Sequence, residues 1–221
     1  MKPKALIAWS SGKDSAWALH QARIGGEYEI AGALTTITEG FDRVSMHGVR
    51  REVLEAQLAA AKLPLFPVMI PFPCPNEVYE QRMGEATRAA REQGITKIIF
   101  GDLFLEDIRI YREEKLRGTG IEPVFPLWNI PTDRLAREMI GGGLKARVVT
   151  LDPSRAPREL AGKSFDEALL ATLPEGVDPC AENGEFHTCV VGGPMFANNL
   201  DVTVGGVVER DGFVFADLKL A

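Results

Sequence analysis

Trp9-Ser10-Ser11-Gly12-Lys13-Asp14-Ser15 lies between an apolar run, Ala5–Ala8, and a helix-like segment, Ala16–Ile24. A strand, a short turn of small residues and a helix start together predict an anion site. The first amides of a helix lack intrahelical partners, and the helix dipole adds partial positive charge there. The stretch therefore predicts a phosphate-binding loop, with simple helix capping by a serine or aspartate as the alternative.

The side chains of this loop support phosphate binding and exclude two common motifs. Gly12 lets the backbone approach a ligand, Lys13 adds a mobile positive charge, and the serines add hydroxyl donors. A Walker A loop is excluded because Ile7 stands where its first glycine would fall, and no dinucleotide fingerprint is present. The stretch resembles the PP-loop, Ser-Gly-Gly-Lys-Asp-Ser, of the ATP pyrophosphatases, with Ser11 in place of the first glycine.

Strand-like and helix-like segments alternate through residues 1–151, which predicts an α/β fold with an open, mostly parallel sheet and helices on both faces. The predicted strands are Ala5–Trp9, Ile30–Thr36, Leu65–Ile70, Lys97–Phe100, Pro123–Pro126 and Arg147–Leu151. The predicted helices are Ala16–Ile24, Val49–Lys62, Asn76–Gln93, Asp107–Arg117 and Asp133–Ile140.

The pattern changes at residue 152, where Pro, Gly and Asn become frequent. We predict a smaller C-terminal α+β lobe over residues 152–221, on the substrate side of the molecule. It contains a helix, Phe165–Leu173, and a terminal antiparallel hairpin built on Val202–Val204 and Phe213–Phe215 with Gly205-Gly206 and Asp211-Gly212 as turns.

The composition is that of a globular enzyme-like chain of 221 residues, 45% hydrophobic and 25% charged. The net charge of −6 gives no overall field that attracts nucleic acid or an anionic membrane, so we expect neither as a partner. The three cysteines, absent signal-peptide layout and lack of a long apolar run favour a reducing, cytoplasmic location. Whether the chain forms a homo-oligomer stays open.

Polar residues follow the predicted parallel strands, where ligands of open sheets bind. Gly101-Asp102 ends one strand, and Asp102 together with Asp14 could hold Mg²⁺ on phosphates. Thr35 and Thr36 end another strand and could contact a ribose or a base. His47 lies in a Gly-flanked loop and could bind phosphate or transfer a proton. Turn, cap and solvated-loop roles are the alternatives.

The densest polar cluster is Glu182–Thr188, in which Glu185 and His187 would share one side of an extended segment. Such a pair could bind a substrate amide or guide a proton. A zinc site with Cys180 or Cys189, or a solvated loop, is the alternative. The mixed charges of Asp107–Arg117, which include Arg109 and Arg112, predict a salt-bridged exposed helix face rather than an RNA surface.

Over almost its whole length the chain resembles the diphthine–ammonia ligase family, also called the ATP-binding domain 4 proteins, within the PP-loop and adenine nucleotide alpha hydrolase-like superfamily. The resemblance rests on Ser10–Ser15, Met46–Val49, Gly101-Asp102, Pro126–Trp128 and Gly184–Thr188. The Gly-Glu-Phe-His-Thr block is the most specific of these. Cys180-Ala181-Glu182 stands where the family commonly shows Cys-Gly-Glu.

The resemblance implies a ligase that adenylates a substrate carboxylate with ATP, releases pyrophosphate, and then transfers ammonia to form an amide. The carboxylate would be diphthine or another acid, either a small molecule or borne by a protein. ATP and Mg²⁺ are the implied cofactors. A PP-loop tRNA-modifying enzyme and a non-catalytic adenine-nucleotide sensor are the alternatives.

This reaction assigns roles to the candidate site residues. Lys13, Asp102, Glu185 and His187 are the candidate catalytic residues. The candidate ATP-binding residues are Ser10, Ser11, Gly12, Lys13, Asp14, Ser15, Thr35, Thr36, His47 and Gly101.

Overall fold

The computed structural model describes residues 1–221 and contains a mainly parallel sheet of six strands. These strands are β1 (Lys4–Ala8), β2 (Glu29–Thr38), β3 (Arg43–Val44), β4 (Leu65–Ile70), β5 (Ile95–Ile99) and β6 (Glu122–Val124). The parallel strands lie in the order β4-β2-β1-β5-β6. Short β3 runs antiparallel to the end of β2, on the side away from β4, and therefore lies just beyond the end of β1.

Helices cover both faces of this sheet. They are α1 (Lys13–Gly25), α2 (Arg51–Ala61), α3 (Asn76–Glu92), α4 (Glu106–Leu116), α5 (Thr132–Gly141) and the short α6 (Glu167–Leu170). Apolar residues of α1, α2 and α5 join the larger buried core, whereas residues of α3 and α4 join a smaller core on the opposite face. None of the helices combines the length and the apolar character needed to span a bilayer.

A second sheet is antiparallel and packs into the larger core. Its strands are β7 (Lys145–Leu151), β8 (Phe186–Gly192), β9 (Val202–Arg210) and β10 (Phe213–Leu220), in the order β8-β7-β10-β9. Buried residues of β7, β8 and β10 belong to the same apolar cluster as those of α1 and α2. The second sheet is thus held directly against the loop that follows β1.

The predicted α/β class and its smaller C-terminal lobe are confirmed, with one error in the strand pairing. We expected Arg147–Leu151 to extend the parallel sheet, but β7 pairs antiparallel with β8 and β10. The division at residues 151 and 152 stays a prediction, although β7 belongs to the second sheet.

The terminal hairpin is confirmed, but it has only one of the two predicted turns. Asp211 and Gly212 form the turn with φ of 53° and 82°, a conformation that favours Asp-Gly. Gly205-Gly206 instead lies inside β9. The predicted helix Phe165–Leu173 shrinks to the four residues of α6.

The order of the parallel strands places a crevice between the ends of β1 and β5. The sheet grows outward in opposite directions from this point, and α1 and α4, which follow the two strands, lie on opposite faces. Ligands of open α/β sheets bind at such a switch point because the two following loops diverge there. The loops after Ala8 and Ile99 therefore border the principal candidate site.

Candidate active site

The loop after β1 has a backbone shaped for close approach. Ser11 has a φ of 69°, a left-handed conformation that glycine adopts without strain. Its carbonyl accepts hydrogen bonds from the Val190 amide at 2.9 Å and from Gln57 Nε2 at 3.2 Å. Gly12 is the N-cap residue of α1, and Thr188 Oγ1 accepts a hydrogen bond from the Lys13 amide, so this helix end is capped from β8 and not by Ser11 or Asp14.

Gly12 and Gly101 are required because side chains or backbone of other segments lie against them. A Cβ on Gly12 would lie 2.6 Å from Cε1 of His47, and one on Gly101 would lie 2.7 Å from the carbonyl carbon of Asp14. Neither glycine can gain a side chain without displacing its neighbour. The first turn of α1 thus contacts both the loop after β5 and the loop that carries His47.

Lys13 is buried at the start of α1 and forms an ion pair. Its Nζ lies 2.8 Å from Asp14 Oδ2 and also donates to the Cys180 carbonyl, while its amide donates to Thr188 Oγ1 at 3.1 Å. Burial by itself lowers the pKa of Lys13, but its neighbours Asp14, Cys180 and Glu182 together outweigh burial, so the pKa is raised and the ammonium stays charged. Asp14 Oδ1 is buried without a partner.

The loop after β5 contributes a second ion pair. Arg112 Nε, on α4, donates to Asp102 Oδ2 at 3.1 Å, and the guanidinium carbon lies 4.6 Å from the centre of the Phe100 ring. The prediction of a solvent-exposed face is therefore wrong for Arg112. It fits Arg109, which pairs with Glu113 at 2.8 Å on the same helix.

Two histidines meet where the two sheets join. His47 Nδ1 lies 3.0 Å from the Thr188 carbonyl, which requires Nδ1 to carry the proton, and the rings of His47 and His187 are 4.7 Å apart. Burial, followed by the charge of the neighbouring histidine, lowers the pKa of His47 to about 3. Burial and the Lys13 ammonium lower the pKa of His187 to about 4. Both rings are neutral at pH 7.

We expect the free energy of unfolding of the His187→Asn variant to fall less steeply than that of the native protein as the pH drops below about 6.5. Each histidine has a lower pKa in the folded chain than its ordinary value of about 6.5, so protons favour the unfolded chain. The free energy of unfolding should fall as the pH drops from about 6.5 to about 4, by roughly 3 kcal/mol through His187, since one pKa unit corresponds to about 1.4 kcal/mol.

Urea unfolding at several pH values, compared between native protein and variant, measures this difference. Glu182 has the opposite effect on stability, because its raised pKa makes the folded chain bind a proton as the pH falls. Both proteins contain Glu182, so the difference between their unfolding free energies cancels its contribution. Parallel pH curves for the two proteins would contradict the assignment of a buried neutral His187.

The late polar cluster divides its carboxylates between two roles. Glu182 Oε1 accepts a hydrogen bond from the Leu103 amide at 2.7 Å, and burial raises the pKa of Glu182 to about 7. Glu185 is buried and its Oε1 accepts from the Asp178 amide and from Asn183 Nδ2, both at 3.1 Å, while its Oε2 has no partner. Glu182 thus bridges to the loop after β5, and Glu185 closes its own loop.

These segments enclose a cavity of about 350 Å³ at the switch point. The predicted residues that line it are Ser10, Lys13, Asp14, Ser15, Thr36, His47, Gly101, Asp102 and His187. Four predicted residues lie outside its wall: Ser11, Gly12, Thr35 and Glu185. Ser11 and Gly12 shape the loop, and Thr35 is buried in β2.

Sequence reasoning missed three residues that matter here. Arg112 and Glu182 line the cavity, and Gln57 lies buried behind it. Gln57 Oε1 accepts from Trp9 Nε1 at 3.1 Å, and its Nε2 donates to the Val190 carbonyl at 2.6 Å, which ties the loop to β8. The sequence signal for Gln57 was its position as a polar residue within the apolar stripe of α2.

The donor set fits a magnesium ion only together with a phosphate ligand. Asp14 and Asp102 both line the cavity, but no group of three or more His, Cys, Asp or Glu side chains is arranged to hold a metal. Magnesium usually binds through one or two carboxylates plus substrate phosphates. The buried, unpartnered Asp14 Oδ1 is an oxygen suited to that role.

Known proteins are similar to this chain in sequence. Residues 131–215 match the family model described as the diphthamide synthase C-terminal domain. The human diphthine–ammonia ligase is 26% identical over 241 residues, which cover 98% of this chain and 88% of the relative. The resemblance to the diphthine–ammonia ligases is therefore confirmed.

Further diphthine–ammonia ligases show the same relation. The bovine enzyme is 24% identical over 98% of this chain and 88% of its own length. The diphthine–ammonia ligase of the fission yeast Schizosaccharomyces pombe is much longer. It is 27% identical over 112 residues, which cover 49% of this chain and 18% of the yeast protein. The matched C-terminal domain, residues 131–215, runs from the start of α5 through β7 and β8 into β10. It includes the cluster with Glu182 and His187.

Proposed function

We propose that the protein is an ATP-dependent ligase that adenylates a carboxylate and then transfers ammonia to it. The relatives named diphthine–ammonia ligase support a ligase role. The observation that carries the finer proposal is the joining of the Ser10–Ser15 loop, Asp102 and His187 in one cavity at the sheet's switch point. Diphthine or another acid would be the substrate.

In the first step a carboxylate oxygen attacks the α-phosphorus of ATP, and the bond from that phosphorus to the bridging oxygen breaks. Pyrophosphate leaves, and its growing negative charge needs positive partners that are already in place. Lys13 and the first turn of α1 supply such charge on one side of the crevice. Mg²⁺ bound through Asp14 and Asp102 would neutralise phosphate charge.

In the second step the nitrogen of ammonia attacks the acyl carbon, and the bond from that carbon to the phosphate oxygen breaks with release of AMP. The attacking nitrogen must lose a proton before the amide is complete. Glu182 lines the cavity with a pKa of about 7, which suits a group that accepts a proton near neutral pH. We assign it this role, with neutral His187 as the neighbour that positions the acyl group.

A second cavity of about 360 Å³ supplies a place for the body of the acid. It shares Val44, Ser45, Met46 and His187 with the first cavity, and its remaining wall includes four phenylalanines, Phe41, Phe72, Phe213 and Phe215. An acid held there would direct its carboxylate past His187 toward the nucleotide. This arrangement supports an in-line approach, which an adenylation requires.

The function is tested by incubating the protein with Mg-ATP, ammonium and candidate carboxylates, diphthine-bearing protein among them. We expect AMP and pyrophosphate in equal amounts, together with an amide that forms only when ammonium is present. Release of ADP and phosphate would contradict cleavage between the α and β phosphates. Formation of AMP without any amide would restrict the protein to adenylation.

A further inference from the structure

Arg112 is the second cation on the wall of the nucleotide cavity, and it lies on the side of the crevice opposite α1. Lys13 follows β1 on α1, whereas Arg112 is carried by α4, which follows β5 on the other face of the sheet. An anion at the switch point would therefore have one cation on each side. The charged residues that share the wall with them are Asp14, Asp102 and Glu182.

The guanidinium of Arg112 is held in one orientation. Asp102 accepts from Nε at 3.1 Å, and the Phe100 ring lies against the guanidinium plane at 4.6 Å. The side chains of Arg112 and Asp102 are only 27% and 17% exposed, so solvent screens the pair weakly. A guanidinium fixed by one carboxylate and one ring loses little conformational freedom when it binds a ligand.

The Asp102 carboxylate accepts from only one of the N–H donors of Arg112. A guanidinium has five N–H groups in a planar fork, and the ion pair with Asp102 takes Nε. The Tyr79 side chain, which also lines the cavity, is a further hydrogen-bond partner of the guanidinium, and the remaining N–H groups can donate to phosphate oxygens, a role for which arginine is suited. We propose that Arg112 binds a phosphate group of the nucleotide, and that Asp102 positions it.

This role deepens the nucleotide half of the proposed function and rests on it. Lys13 is already paired with Asp14 and with the Cys180 carbonyl, so one ammonium cannot by itself match the charge of a triphosphate. A second cation across the crevice would hold the phosphate chain from both sides. It would also oppose the negative charge of Glu182 on the same wall.

The test compares Arg112→Gln with Arg109→Gln in calorimetric titrations of the full chain with Mg-ATP and with adenosine. We expect Arg112→Gln to weaken Mg-ATP binding at least about 10-fold, the scale for losing a hydrogen bond to a charged group, and to leave adenosine binding unchanged. Arg109 is the matched control because it lies on the same helix, stacks on Phe125 and Trp128, and is not on the cavity wall.

Arg112→Lys covers the case in which the glutamine variant does not fold. It keeps the charge but loses the fork, so its affinity for Mg-ATP should fall between those of native protein and Arg112→Gln. An unchanged affinity in a folded Arg112 variant would overturn the proposal, as would an equal loss of adenosine binding. If native protein fails to bind Mg-ATP at all, the proposed function itself is wrong.

Discussion

Lys13→Gln is expected to lower AMP and pyrophosphate formation about 10³-fold, the largest effect of any single change in this site. Lys13 is the cation at the first turn of α1, where the pyrophosphate would leave. Losing one preorganised contact to a developing negative charge costs about 10² to 10³ in turnover. The glutamine keeps the length of the side chain, so the lost charge is the main change.

The stability of this variant has to be separated from its activity. Removing Lys13 leaves Asp14 partly buried without its ion partner, and breaking a buried pair costs about 3–5 kcal/mol. The double variant Lys13→Gln with Asp14→Asn replaces the pair by two neutral amides and should recover much of that loss. Quenched-flow measurement of pyrophosphate release in both variants separates the effects, and recovery of turnover in the double variant would contradict a catalytic role for Lys13.

Asp102→Asn is expected to lower turnover at least about 10²-fold while the chain stays folded. The asparagine keeps the shape of the side chain but loses the charge that pairs with Arg112 and that would hold Mg²⁺. Steady-state assays over a range of Mg²⁺ concentrations measure both losses. If Asp102 shares in binding the metal, the Mg²⁺ concentration needed for half-maximal rate should rise.

Glu113→Gln is the matched control for this change. It breaks an arginine–carboxylate pair on the same helix, between Arg109 and Glu113, with an exposed carboxylate that lies outside the cavity. Its turnover should equal that of the native protein. An unchanged rate in Asp102→Asn would contradict a role for Asp102 in the reaction. It would also contradict the proposal that Asp102 positions Arg112.

Much of the fold follows from local patterns. Leu65–Ile70 has the predicted bounds, and the other predicted strands of the parallel sheet lie within a few residues of theirs, because apolar runs bounded by polar turns determine such strands locally. The turn at Ser10–Ser15 between β1 and α1 also follows from the local pattern, since its residues are consecutive, whereas phosphate binding by this turn stays a prediction. The same local signal could not give the partner of β7, because a strand buried on both faces looks alike in parallel and antiparallel sheets.

The sequence by itself determined the strand–loop–helix at Ser10–Ser15, the acidic residue after β5 and the existence of a late polar cluster. Only the tertiary structure decided which of those polar side chains face the cavity at the switch point. Glu182 and Glu185 are three residues apart in one loop, yet the first lines the cavity and the second closes the loop, because Gly184 turns the chain between them with a φ of 84° and β8 then fixes the register. Arg112 likewise has a helix-surface charge pattern, and its partial burial depends on Asp102 and Phe100, which both come from the loop after β5 and which local spacing does not encode.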